Sequence, residues 1–134
     1  MTRTGRTGAL EQRMTMTYQV VRVRLTLDDP PGAFRVVVGR LPVVIGRADP
    51  KSMILPEVDL SAYDAYRKGI SRVHAHIFSR DGVKLWLEDQ NSTNGTFLNE
   101  ERLAPYVAQA LKTGDIIRVG RIRLVVRLEE QAED

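Results

Sequence analysis

Three polar clusters in this chain combine guanidinium, hydroxyl and flexible backbone. Gly46-Arg47 ends a β-branched run, Ser71-Arg72 precedes another, and Ser92-Thr93-Asn94-Gly95-Thr96 is a turn dense in hydroxyls. Guanidinium forks, short hydroxyls and unpaired amides are the donors a phosphate monoester takes. The glycine of the third cluster supplies a φ > 0 position that leaves neighbouring amides free to bind oxygen. Singly, each cluster is weak: Gly-Arg and Ser-Arg are common dipeptides, and Asn-Gly is most often only a turn. For Arg47 the competing reading is a surface salt bridge, and for Arg72 simple solvation.

Catalytic arrangements find little support in the same residues. Ser71 and His74 are three apart where a strand begins, a spacing that sends their side chains to opposite faces. No third residue is placed to orient the imidazole, so a nucleophilic triad is not expected. His74 and His76 share one strand face, but two imidazoles are too few metal ligands and no carboxylate completes the set. With no cysteine in the chain, thiol nucleophiles, disulfides and Cys-based zinc sites are excluded. The expectation is therefore no catalytic group, no metal and no cofactor.

The elements that must position these clusters read as strands. Val21, Val23, Leu25 and Leu27 alternate with Arg22, Arg24 and Thr26, the two-residue period of a half-buried strand, in a segment that starts at Tyr18. Ala33–Val38 and Leu41–Ile45 follow the turn cluster Asp28–Gly32. Val73–Ser79 and Val83–Glu88 flank Arg80-Asp81-Gly82, a hairpin signal, and Asn94-Gly95 leads into Thr96–Leu98. Ile116–Val119 and Ile122–Leu128 close the series around Gly120-Arg121. About eight short strands with almost no helical period predict an all-β sandwich or barrel. Trp86 alternates with Leu85 and Leu87 and points away from them. The segment Ala48–Gly69 is a long loop in which only Ser61–Lys68 has the look of a helical turn; loops of this length in compact domains usually carry function.

Composition agrees with one soluble domain: 134 residues, 43% hydrophobic, 28% charged, net charge +3. Residues 1–16, rich in Thr, Arg and Gly, read as a flexible tail, residues 17–128 as the domain, and residues 129–134 as an acidic tail. The acidic tail (−4) outweighs the basic one (+2), so the domain between them is more basic than the whole. No apolar run reaches the ~18 residues of a membrane span, and no signal peptide is visible, which predicts a cytoplasmic protein that meets no membrane. Two Asn-X-Thr matches in the hydroxyl turn then have no glycosylation to receive.

In order and spacing, Ile45-Gly46-Arg47, Ile70–Ala75, Leu87–Asn99 and Leu111–Gly120 resemble the forkhead-associated (FHA) domain over about Tyr18 to Leu128. That resemblance implies a two-sheet β-sandwich whose loops at one end bind phosphothreonine peptides. It implies that Arg47 grips the phosphate, that Ser71 donates a hydroxyl, and that Arg72 adds a phosphate contact. It further implies that Thr93 supplies hydroxyl and amide, and that Asn94 holds the peptide backbone. Gly46, His74, Gly95 and Asn99 match positions that shape loops, with His74 tying down the loop of Ser71. Gly69, Ile70, Asn91 and Ser92 would line the region of the third residue after the phosphothreonine, for which the long Ala48–Gly69 loop leaves no preference to be read.

The function expected is phosphothreonine-dependent protein binding, with a partner phosphorylated by a Ser/Thr kinase. Thr2, Thr4 and Thr7 make the chain's own N-terminal tail a further candidate ligand, although Arg3 and Arg6 beside them would be repelled by a basic pocket. Two alternatives stay open: a nucleic-acid-binding β-domain that uses the arginines of residues 18–27 and 121–127, and a degenerate family member that serves only as a structural interaction module.

Overall fold

Alternating apolar residues give the first strand, β1 (Val21–Asp28), one buried and one solvated face. A computed structural model describes residues 19–129, so the tail at 1–16, residues 17 and 18, and all of the acidic tail except Glu129 lie outside the described residues. A tight turn through a cis Asp29–Pro30 peptide leads from β1 into β2 (Pro31–Val38). Then come β3 (Val43–Gly46), β4 (Val58–Asp59), β5 (Val73–Phe78) and β6 (Leu85–Asp89). The chain closes with β7 (Thr96–Leu98), β8 (Glu101–Arg102), β9 (Gln109–Leu111), β10 (Ile116–Val119) and β11 (Ile122–Glu129).

These strands form two sheets, in the orders β2-β1-β11-β10-β7-β8 and β4-β3-β5-β6-β9. The expected two-sheet sandwich is what the chain adopts. Between the sheets Leu25, Ile45, Ile77, Leu85, Leu87, Ile117 and Leu124 are fully buried in one core. Burial of each such side chain contributes roughly 1.5–3 kcal/mol. Among the described residues no helix is long and apolar enough to cross a membrane.

Several boundaries move from where periodicity put them. The strand expected from Leu41 begins at Val43, because Pro42 has no N–H to give the ladder and Leu41 stays exposed. The strand expected from Val83 begins at Leu85: the Asp81 carboxylate accepts from the amides of Val83 and Lys84, both at 2.9 Å, and extends the turn by two residues. β4, β8 and β9, at two or three residues, are too short to show a period. Of Ser61–Lys68 only Ser61–Tyr63 is helical, as a single 3₁₀ turn. Glu129, expected in the acidic tail, is the last residue of β11.

The long loop Ala48–Gly69 is tied into the core rather than draped over it. Val58 and Leu60 are fully buried, and β4 pairs in parallel with β3. The Asp59 carboxylate binds this loop together, accepting from the amides of Ala48 (3.1 Å) and Ser61 (3.0 Å) and from the Ser61 hydroxyl (2.6 Å). Burial raises the pKa of this carboxyl, but the bonds outweigh it and hold the group below its ordinary range.

On the solvated face of the first sheet, Arg24 lies directly opposite Arg35 on β2 and Arg127 on β11. Like charges placed opposite one another destabilise a sheet. The Arg24 Nε is buried and has no hydrogen-bond partner among the described residues, while Arg35 is offset by Glu129 at 3.6 Å. β2 is the outermost strand on this side, and the other edge of its backbone is unpaired among the described residues.

Candidate functional site

All five residues expected to bind phosphopeptide meet at one end of the sandwich. Arg47, Ser71, Arg72, Thr93 and Asn94 line a cleft of about 480 Å³ together with Tyr66, Gly69 and Ile70. The two other expected lining residues are elsewhere. Ser92 is buried beneath its own turn, and Asn91 does not border the cleft.

Arg47 stands just beyond β3, where the register between β3 and β5 shifts at Ile45/Gly46. Glycine is required at 46: a Cβ there would lie 1.9 Å from the Arg72 carbonyl oxygen. The resulting close approach lets the Arg47 amide donate to that oxygen at 3.1 Å. The Arg47 Nε donates to the Ile70 carbonyl at 3.2 Å, and the guanidinium carbon sits 5.3 Å from the centre of the Tyr66 ring. The two terminal guanidinium nitrogens have no partner among the described residues. A fork is thus anchored at its base with its donors free, the arrangement an oxyanion needs.

Ser71 accepts from the Thr93 amide through its Oγ at 3.3 Å, which leaves its own O–H free to donate. That bond joins the loop before β5 to the hydroxyl turn. Asn94 makes a second link, its Nδ2 donating to the Gly69 carbonyl at 2.9 Å. Arg72 borders the cleft, yet its Nη1 already donates to Asp49 at 3.0 Å and to the Ser52 hydroxyl at 3.2 Å. The Arg72 bond, then that from Ser52, holds the Asp49 carboxyl below the ordinary carboxylate range. Any phosphate contact by Arg72 would have to use its remaining N–H groups or displace Asp49.

The hydroxyl turn is organised from below by a residue that motif reading left without a role. The Asp89 carboxylate is buried and accepts from the Ser92 hydroxyl (2.5 Å), the Ser92 amide (3.2 Å) and the Thr96 hydroxyl (2.7 Å). The Ser92 Oγ in turn accepts from the Gly95 amide at 3.0 Å. Gly95, at φ +86°, turns the chain where L side chains are strained. Thr93 and Asn94 are left exposed at the tip. Asp89 carries the only signal for this role in its chemistry: an acid at the end of an apolar strand, three residues before a serine.

His74 is fully buried under the turn. The Ser71 amide donates to its Nδ1 at 3.0 Å, so the ring proton sits on Nε2 and is donated to the Gly95 carbonyl at 2.8 Å. One imidazole therefore clamps both loops, through backbone atoms, while the Ser71 hydroxyl takes no part. His76, on the same face, is half-buried opposite Glu88. Among the described residues no three metal-ligating side chains cluster. Asn99 lies at φ +49° in the β7–β8 turn, donating to Asp115 at 3.0 Å and accepting from the Ile116 amide at 2.9 Å. Trp86 points out from the core, with the Arg80 guanidinium 5.7 Å from its ring.

Burial lowers the pKa of His74, against the opposing pull of the Gly95 carbonyl and the Asp89 charge, and burial likewise lowers that of His76. Both rings take up a proton less readily in the fold than when unfolded. Their contribution is complete above the unfolded value of ~6.5 and is lost as pH falls below it. Urea unfolding midpoints should drop between about pH 7 and 5, and should still drop in His76→Gln. A flat or rising profile over that window would contradict the clamp.

Comparison with known proteins places these features. A family model described as "FHA domain" matches residues 43–120. Protein FraH of Nostoc sp. is 33% identical over 122 residues, covering 90% of this chain and 38% of FraH. The FHA domain-containing protein FhaA of Mycobacterium tuberculosis is 36% identical over 107 residues, covering 79% of this chain and 17% of FhaA. The chain thus spans less than two-fifths of either relative. A solved structure from work on phosphothreonine-dependent FHA domain interactions superposes with a TM-score of 0.64 at 31% identity, covering 82% of this chain and 99% of its own. With the sandwich, the loop cluster and the matched segment in agreement, the chain belongs to the FHA domain family, a family of binding modules.

Proposed function

We propose that this chain binds protein segments containing phosphothreonine, acting in the cytoplasm as a non-enzymatic adaptor for a partner phosphorylated by a Ser/Thr kinase. The observation that supports it most is that the anchored Arg47 fork and the Ser71 hydroxyl, both with free donors, line one cleft. In this reading the Arg47 fork makes charge-assisted bonds to a phosphate of about −1.5 to −2 charge. Ser71 and the Thr93 hydroxyl and amide take further oxygens. Asn94, whose second amide hydrogen and carbonyl oxygen are unpaired among the described residues, holds the peptide backbone. Gly46, His74 and Gly95 hold the loops that carry those groups, while Asn99 fastens the β7–β8 turn to the start of β10. No cofactor enters the mechanism.

The test is calorimetry with a degenerate phosphothreonine peptide library against its unphosphorylated twin. Binding confined to the phosphorylated library is expected, and equal binding would sink the proposal. Phosphoserine should bind more weakly, by about fourfold from the lost methyl burial alone, which is worth about 0.8 kcal/mol. Equal affinity for peptides that differ only in that methyl would contradict this.

The Arg35–Arg24–Arg127 row favours a second reading, nucleic-acid binding on the solvated sheet face. Affinity for a duplex that falls steeply with salt, together with indifference to phosphothreonine, would mark that function.

A further inference from the structure

Next to the phosphate cleft, the loop ahead of β5 and the turn between β10 and β11 enclose a second depression of about 340 Å³. It shares Gly69 and Asn94 with the cleft, so the two lie side by side. Arg67, Lys68, Arg118 and Arg121 line it, and no acidic side chain does. Two arginines elsewhere are each offset by an acid, Arg72 by Asp49 and Arg35 by Glu129.

The frame that carries these cations is fixed. The Arg121 amide donates to the Lys68 carbonyl at 2.9 Å, and the Arg121 guanidinium donates to the Arg67 carbonyl. Arg118 lies 3.8 Å over the Phe97 ring, donates to the Gly120 carbonyl at 2.9 Å and is partly neutralised by Glu100 at 3.3 Å from outside the depression. The side chains of Arg67 and Lys68 have no partner among the described residues. A concave surface with cations on both walls concentrates positive potential at its centre.

We propose that this depression receives a second anionic side chain, phosphate monoester or carboxylate, of the same ligand. The inference rests on the phosphothreonine reading above and narrows its partner class. The chain selects phosphothreonine segments that carry another negative group within a few residues. An extended peptide rises about 3.3 Å per residue, so two to five residues cover roughly 7–17 Å from the first phosphate.

The experiment is fluorescence anisotropy on the full chain with neutral-scaffold peptides. One set carries phosphothreonine alone. The others add phosphoserine, glutamate or alanine at each position two to five residues to either side. At least one register should bind the phosphoserine peptide five or more times tighter than its alanine counterpart, and the glutamate arm shows whether a carboxylate suffices. The gain should vanish in Arg121→Gln and in the exposed pair Arg67→Gln with Lys68→Gln, while affinity for the singly phosphorylated peptide stays within twofold of wild type. The paired variant keeps the test open should Arg121→Gln fail to fold. Gains under fivefold in every register, or a gain that survives the paired variant, overturn the inference and leave the phosphothreonine reading standing. No preference for phosphothreonine over threonine overturns that reading instead.

Discussion

Replacing Arg47 with alanine should lower phosphopeptide affinity by between about 30-fold and several thousand-fold, with the fold left intact. Truncating one partner of a desolvated, hydrogen-bonded charge pair costs roughly 2–5 kcal/mol. The structural loss is small by comparison. Arg47 is only half-buried, and its side chain gives up one bond, to the Ile70 carbonyl, of the kind worth about 0.5–1.5 kcal/mol. Its amide bond to Arg72 is backbone and survives. Arg47→Lys should fall between the two, since it keeps the charge and loses the fork. Calorimetry that finds Arg47→Ala within threefold of wild type would remove Arg47 from the site.

Asp89→Ala should be the most damaging single change to stability around the cleft, at about 3–5 kcal/mol. Hydrogen bonds to a charged acceptor contribute about 1.5–3 kcal/mol each, not additively, and buried donors left without an acceptor cost as much again. Three donors lose their acceptor at once: the Ser92 amide, the Ser92 hydroxyl and the Thr96 hydroxyl. Loosening Ser92 also loosens Gly95, whose carbonyl is one end of the His74 clamp. Phosphopeptide affinity should therefore fall too, although Asp89 lies outside the cleft lining. A urea-derived loss below ~1 kcal/mol would show that the turn holds its shape without the carboxylate.

Strands that bury alternate residues announce themselves, and β1, β10 and β11 were legible at nearly their observed bounds. What periodicity missed is governed by single contacts. Val83 and Lys84 have strand-like neighbours, but the Asp81 carboxylate captures their amides first. Two-residue strands such as β4 exist only because β3 offers an edge beside Val58 and Asp59. At the site, residue types and order brought out Arg47, Ser71, Arg72, Thr93 and Asn94, and the fold brings all of them to one cleft. Pairings were out of reach. Arg72 meets Asp49 across 23 positions of sequence, and no local pattern encodes it. Nor does any local pattern encode Arg67 and Lys68 meeting Arg121 across the mouth of a second depression.

The edge of β2 left unpaired among the described residues bears on how the protein behaves when crowded. Eight residues long, with Val37 exposed, it is a template on which further chains could assemble into a growing cross-β ribbon. An antiparallel copy docked there with the two Arg35 residues directly opposite, the register that keeps the solvated faces together, would extend a column that already holds Arg35, Arg24 and Arg127. Repulsion of that kind reaches across about 8 Å at physiological salt. The same arginine row that costs the lone domain some stability thus acts as a gatekeeper against fibrous aggregation. Its removal would be felt first in the shelf life of concentrated stocks, before any change in what the protein recognises.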